Sequence, residues 1–105
     1  MDEGQTVASE PTAPKIEVNY WNDRPVYYHE ISYGQMRKVR KLAEDNREDS
    51  LLEILMLSAH YEDGKKVFKN RDEIDSVPAK KSMMLVAMGA EAFRINTPES
   101  LDPSP

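Results

Sequence analysis

The stretch Leu51-Leu52-Glu53-Ile54-Leu55-Met56-Leu57-Ser58-Ala59-His60-Tyr61 constrains this chain more than any other. At 100° per residue its apolar side chains occupy almost the whole circumference of a helix, and only Glu53 and His60 form a polar wedge. A helix of that kind is central to its fold or is covered by another chain. Ser50 followed by Glu53 reads as a capping box, which predicts a helix over Leu51–Tyr61. The rest of the chain must surround this helix or leave part of it for a partner.

What surrounds it follows from local pattern. Ile16 to Trp21 alternates apolar and polar, Asn22-Asp23-Arg24-Pro25 breaks the run, and Val26 to Ile31 resumes it with β-branched and aromatic residues, so a β-hairpin is expected. Such a hairpin is marginal alone and needs an apolar support. Ser32-x-x-Gln35 is a second capping box, with Ile31 and Met36 placed as a hydrophobic staple, and opens a helix over Tyr33–Asp45. Met36, Val39, Leu42 and Ala43 share one face of it, and Arg37, Lys38, Arg40, Lys41 and Glu44 cover the other. Asn46 to Asp49 is a short polar connection.

Beyond the central helix, Glu62-Asp63-Gly64-Lys65 is a turn and Lys66-Val67-Phe68 an extended piece. Asn70 caps one helical turn, Arg71 to Ser76, anchored by Ile74. Pro78 suits the first turn of a last helix over Ala79–Ile95. Its core face is Leu85, Val86, Gly89, Ala92 and Phe93, with Gly89 admitting a neighbouring backbone. A separate stripe, Met84, Met88 and Ile95, is apolar without facing that core. The expected fold is mainly α (α+β): an N-terminal hairpin packed on a small bundle of three to four helices.

Residues 1–15 and 96–105 are rich in Pro and carboxylates and hold too few large apolar side chains to offset the cost of ordering them. Reading both as disordered tails leaves one domain over residues 16–95. The tails carry five of the 19 acidic and one of the 14 basic residues, so a chain of net charge −5 contains a core of net −1. Neither figure provides the basic footprint that nucleic acid requires. The longest uncharged run, Ser82–Ala90, is nine residues, against the roughly 20 of a membrane span. With Met1-Asp2-Glu3 unlike a signal-peptide start, a soluble intracellular protein is expected. The absence of Cys removes disulfides and thiolate chemistry.

No catalytic pattern emerges, and neither an enzyme nor a cofactor is expected. His60 with Glu53, Glu62 and Asp63 is the one conceivable metal group, but a packed or solvated histidine explains it as well. Glu62-Asp63-Gly64 lacks the ligand spacing of a calcium loop. The basic run Arg37-Lys38-x-Arg40-Lys41 is a solvated helix face, with Glu44 and Asp45 at i+4 to Arg40 and Lys41, or a surface for an acidic partner. The methionines are more informative. Met83, Met84 and Met88 lie close together, and Met is over-used on surfaces that adapt to a partner. An 80-residue core buries about two-thirds of its unfolded surface, so some of this apolar area is expected to be covered by another chain.

The order of features from Val26 to Asn96 resembles the tail assembly chaperones of long-tailed bacteriophages. The strand Val26-Tyr27-Tyr28-His29-Glu30-Ile31 runs into the Ser32-capped helix, an aliphatic second helix follows over Leu51 to His60, and Glu62 to Phe68 supplies the Asp-Gly turn and extended piece. Asn70 to Pro78 then leads into a terminal helix. His29 stands where that family would have a basic residue.

The resemblance implies a small, mainly helical protein that binds the tape-measure protein in the host bacterial cytoplasm. It implies further that the protein keeps this client soluble, helps recruit tail-tube protein, self-associates, and has a longer frameshifted form. Candidate partner-binding residues are Leu52 and Met56 on the second helix, Met84, Met88 and Ile95 on the last, and Arg37, Arg40 and Lys41 on the first. The alternatives are a self-assembling structural subunit of the virion and a small regulatory adaptor using the basic face.

Overall fold

The computed structural model describes residues 17–97. Among them an antiparallel three-stranded sheet, in the order β1 (Tyr20–Trp21), β2 (Arg24–Tyr28) and β3 (Ala59–Tyr61), lies against four α-helices, as the α+β expectation required. Both expected tails lie outside the described residues except at Asn96 and Thr97, and Ile16 lies outside them as well.

The hairpin is tighter than the sequence suggests. Strands β1 (Tyr20–Trp21) and β2 (Arg24–Tyr28) are joined by Asn22 and Asp23 alone, at φ 53° and 61°. Positive φ at both turn residues matches the twist of paired strands, and Asn and Asp adopt it more readily than other non-glycine residues. Arg24 and Pro25, expected in the turn, therefore belong to β2 and pair with Trp21 and Tyr20. Proline is tolerated there because the neighbouring Val26 N–H already serves the first arm, donating to Asn19 O at 2.7 Å. Pairing with β3 begins only at Val26.

Helix α1 spans Tyr33–Asp45 and opens with the expected capping box: Ser32 Oγ accepts from Gln35 N (3.1 Å), and Gln35 Oε1 accepts from Ser32 N (2.9 Å). Met36 and Val39 are its buried residues. The expected connection of Asn46 to Asp49 is a single residue. Asn46 donates its backbone N–H to Leu42 O (2.8 Å) at the end of α1 and accepts from Asp49 N (3.0 Å) at the start of α2, Arg47–Ser58. Its cap places Glu48 and Asp49 in the first turn, where the helix dipole favours carboxylates. Ser50 is accordingly not a cap but a buried helical residue whose hydroxyl donates to Arg47 O at 2.6 Å.

Helix α2 also stops earlier than its periodicity suggests. Ala59–Tyr61 forms β3, paired to β2 as Val26↔Tyr61, Tyr27↔His60 and Tyr28↔Ala59. Three residues alternating in, out and in are too few to read as a strand when they continue a helical pattern. The switch is held by buried Ser58, which accepts from His29 N (3.1 Å) through its carbonyl and donates from Oγ to His29 O (2.6 Å). The outer edge of β3 is covered by residues 65–67, through Tyr61 N to Lys65 O (2.8 Å) and Val67 N to Ala59 O (3.2 Å).

The central position of α2 agrees with the sequence reading. It packs against both α1 and α4 (Ser82–Ile95), and no residue from Ser50 to Tyr61 is fully exposed. Gly89 of α4 sits against the Leu51 backbone, the close approach its lack of a side chain allows. A short helix α3 (Arg71–Asp75), capped by Asn70 and anchored by buried Ile74, closes the side of α2. Arg71 bridges it to Asp49 (2.6 Å) and Glu53 (3.2 Å) of α2. The last helix begins as a single 3-10 turn, Ala79–Lys81.

Two buried clusters result. One joins Trp21, Val26, Leu55, Phe68, Ile74, Leu85 and Met88, with Trp21 edge-on to Phe68 at 5.3 Å between ring centres. The other joins Met36, Val39, Ile54 and Ala92. Asn96 belongs to the fold, since its Oδ1 accepts from Ile31 N (2.8 Å) and its Nδ2 donates to Ala92 O (2.9 Å).

Candidate functional site

The apolar stripe expected on the last helix does not survive as a surface. Leu85, Met88, Gly89 and Ala92 are the buried residues of α4. They define an inward arc wide enough to take in Met88, so Met88 is core. Met84 is half-buried against that core, and Ile95, 37% exposed, is left at the margin. Leu52 and Met56 of α2 are likewise half-buried against the same cluster. The apolar surplus of α2 is thus consumed mainly within the molecule.

What α4 does present is a different arc. With Leu85 and Gly89 facing in, Met83, Ala87 and Ala90 fall on the opposite side at helical spacing. Met83 is 69% exposed, Ala90 is exposed and Ala87 half-exposed. Val86 and Phe93 border this arc on one side. On the other, Glu91 accepts through both carboxylate oxygens (3.1 and 2.6 Å) from Arg94, which is exposed and, four residues after Ala90, stands within the arc itself. That contact holds the Glu91 carboxyl below its ordinary range against the opposing effect of burial. Met83 was legible as an exposed residue only once the inward arc was placed.

The basic residues stand where the sequence puts them. Arg37, Lys38, Arg40 and Lys41 are exposed on α1, but the expected pairs with Glu44 and Asp45 do not form: among the described residues no ion pair within 4.0 Å involves these cations. A base preceding an acid at i+4 is the weaker orientation, and exposed pairs gain little in water. The Arg37 guanidinium lies 6.0 Å from the centre of the exposed Tyr33 ring. Beside this face, Lys38, Lys41, Leu42, Asp45 and Glu53 line a shallow hollow of about 350 Å³.

The possible metal group of His60 with Glu53, Glu62 and Asp63 is dispersed. Glu53 is engaged by Arg71, whereas Glu62 and Asp63 hold Arg24 (3.2 and 3.5 Å), whose guanidinium stacks 3.9 Å above the Tyr61 ring. The Lys65 backbone N–H, and Arg24 beside it, keep the Asp63 carboxyl below its ordinary range. Among the described residues no three His, Asp or Glu side chains converge on a common point.

His60 instead belongs to the outer face of the sheet, which the sequence reading missed. Val26, Tyr28, Ala59 and Tyr61 turn toward the helices, so Tyr27, His29 and His60 share the opposite face. Tyr27 is 51% exposed, and its ring centre is 6.2 Å from that of His60. Reading residues 59–61 as strand would have exposed the pattern. On the inward face the Tyr28 hydroxyl donates to Val18 O. Burial, reinforced by Glu91 and Glu17, pushes that hydroxyl above the ordinary phenol range.

No protein-family model, no curated protein and no solved structure matches the chain. Among the described residues no helix is long and apolar enough to cross a membrane.

Proposed function

We propose that this protein is an assembly chaperone of the kind that serves the tails of long-tailed bacteriophages. In this reading it binds the tape-measure protein in the host bacterial cytoplasm, keeps it soluble and helps recruit tail-tube protein, self-associating as it does so. The observation that carries the reading is the outer arc of α4, where Met83, Ala87 and Ala90 face solvent on a domain whose other long apolar helix is enclosed. A flexible methionine beside small alanines lets an apolar helix of a client approach closely and in more than one register. The order of strand, capped helix, aliphatic helix, Asp-Gly turn and terminal helix accords with the same reading.

Co-expression with the tape-measure protein of the same genome tests it. A soluble client that co-purifies with the wild-type chain, and less with Met83→Glu, is the expected result. No gain in client solubility and no co-purification would remove the proposal.

The regulatory adaptor keeps one specific observation in its favour, the exposed cations Arg37, Arg40 and Lys41, which form no ion pair among the described residues. Salt-sensitive capture of an acidic partner, abolished by Arg40→Glu and untouched by Met83→Glu, would select it instead.

A further inference from the structure

The outer face of the sheet holds two imidazoles in contact. His29 lies opposite Ser58 in the β2–β3 register, which makes His60 its diagonal neighbour on the same face, and the two ring centres are 4.6 Å apart. Each ring has one nitrogen already committed. Nδ1 of His29 is 3.1 Å from Glu30 O, and Nδ1 of His60 is 3.3 Å from Ser58 O. A carbonyl oxygen only accepts, so in the neutral rings both contacts require the proton on Nδ1, which leaves a lone pair on both Nε2 atoms. A backbone carbonyl fixing the tautomer through the far nitrogen is the outer-shell arrangement that metal-bound histidines use.

We propose that His29 and His60 together bind one borderline divalent ion, of the Zn²⁺, Ni²⁺ or Cu²⁺ class, through their two Nε2 atoms, with water completing the coordination. Imidazole suits these metals, whereas Mg²⁺ and Ca²⁺ prefer oxygen ligands. Two metal–nitrogen bonds of about 2.0–2.1 Å require the two Nε2 atoms within about 4 Å of each other, which rings centred 4.6 Å apart can reach by rotation of the side chains. His29 is exposed and His60 half-exposed, so the ion reaches the pair from solvent without opening the core. The backbone beneath is fixed at His29 by both its N–H and its carbonyl. The bound ion would therefore clip β2 to β3 at the point where α2 becomes a strand. The pair lies on the sheet and shares no residue with the outer arc of α4, so the inference does not depend on the proposed function.

The test is titration of the untagged chain with NiCl₂ or ZnCl₂ alone, followed by calorimetry and by the imidazole proton resonances. Expected are one equivalent bound, joint shifts of both histidine rings, a rise in melting temperature with metal, and no response to MgCl₂. His29→Gln and His60→Gln should each weaken binding at least tenfold. Absence of saturable binding would overturn the proposal, and so would binding that survives both substitutions or shifts only one ring. Should either variant fold poorly, the ring shifts of the wild-type chain decide the matter alone.

Discussion

Gly89 of α4 meets the peptide group of Leu51 in α2 so closely that a Cβ added to it would stand 2.9 Å from the Leu51 carbonyl carbon, and closer still to its oxygen. The obstacle is backbone and cannot swing aside. Gly89→Ala gains the roughly 1 kcal/mol by which alanine exceeds glycine in a helix, yet forces the two helices apart. We expect a net loss of about 1–3 kcal/mol, read as a lower urea midpoint.

Two methionines five residues apart on α4 should respond in opposite ways. Met88 is fully buried, so Met88→Ala should cost about 2–5 kcal/mol. Met83 is 69% exposed, and Met83→Glu should stay within about 0.5 kcal/mol of the wild type. Thermal melts of the two variants check the reassignment of the stripe directly. A strongly destabilised Met83→Glu would contradict the placement of α4.

Ser58→Ala removes the hydroxyl that serves His29 O where helix gives way to strand. Among the described residues the carbonyl would keep only its longer contact from Asn96 Nδ2, at 3.4 Å. We expect a loss of about 1–2 kcal/mol with the β2–β3 pairing weakened first, seen as faster amide exchange at Tyr27 and His60.

Acid should reveal the Glu91–Arg94 contact. Its folded carboxyl titrates below the ordinary value of 4.5, so the stability it contributes is fully present above that value and is lost as the pH falls through the depressed one. Arg94 is 69% exposed, which keeps the effect below about 1 kcal/mol. In Glu91→Gln, stability should fall less steeply between pH 5 and pH 3 than in the wild type.

The elements were legible wherever a cap and a period agreed. Ser32 with Gln35 and Asn70 with its single turn were readable from local sequence because each depends on neighbours a few residues away, whereas Gly89 was readable only as a gap in the core face of its helix, the Leu51 backbone that fills it being distant in the chain. Ser50 misled because its spacing to Glu53 imitates a capping box, while Asn46, four residues earlier, satisfies the free N–H groups first. Residues 59–61 misled because β2, more than 30 residues earlier in the chain, supplies their hydrogen bonds. The same error hid His60 from His29. The basic face of α1 was placed correctly, but its internal pairing was not, since spacing does not reveal how weakly exposed charges hold each other. Met88 shows the limit of a helical wheel, which gives angles but not the width of the buried arc.

Asn46 leaves no free helix end between α1 and α2. Fraying starts at exposed termini, where the last carbonyls and first amides exchange with water. Here the final turn of one helix and the opening turn of the next share a single side chain and a single peptide group, so neither can loosen without disturbing the other. The 26 residues from Tyr33 to Ser58 should therefore open to hydrogen exchange as one cooperative block, with α4 able to part from it but not the two helices from each other.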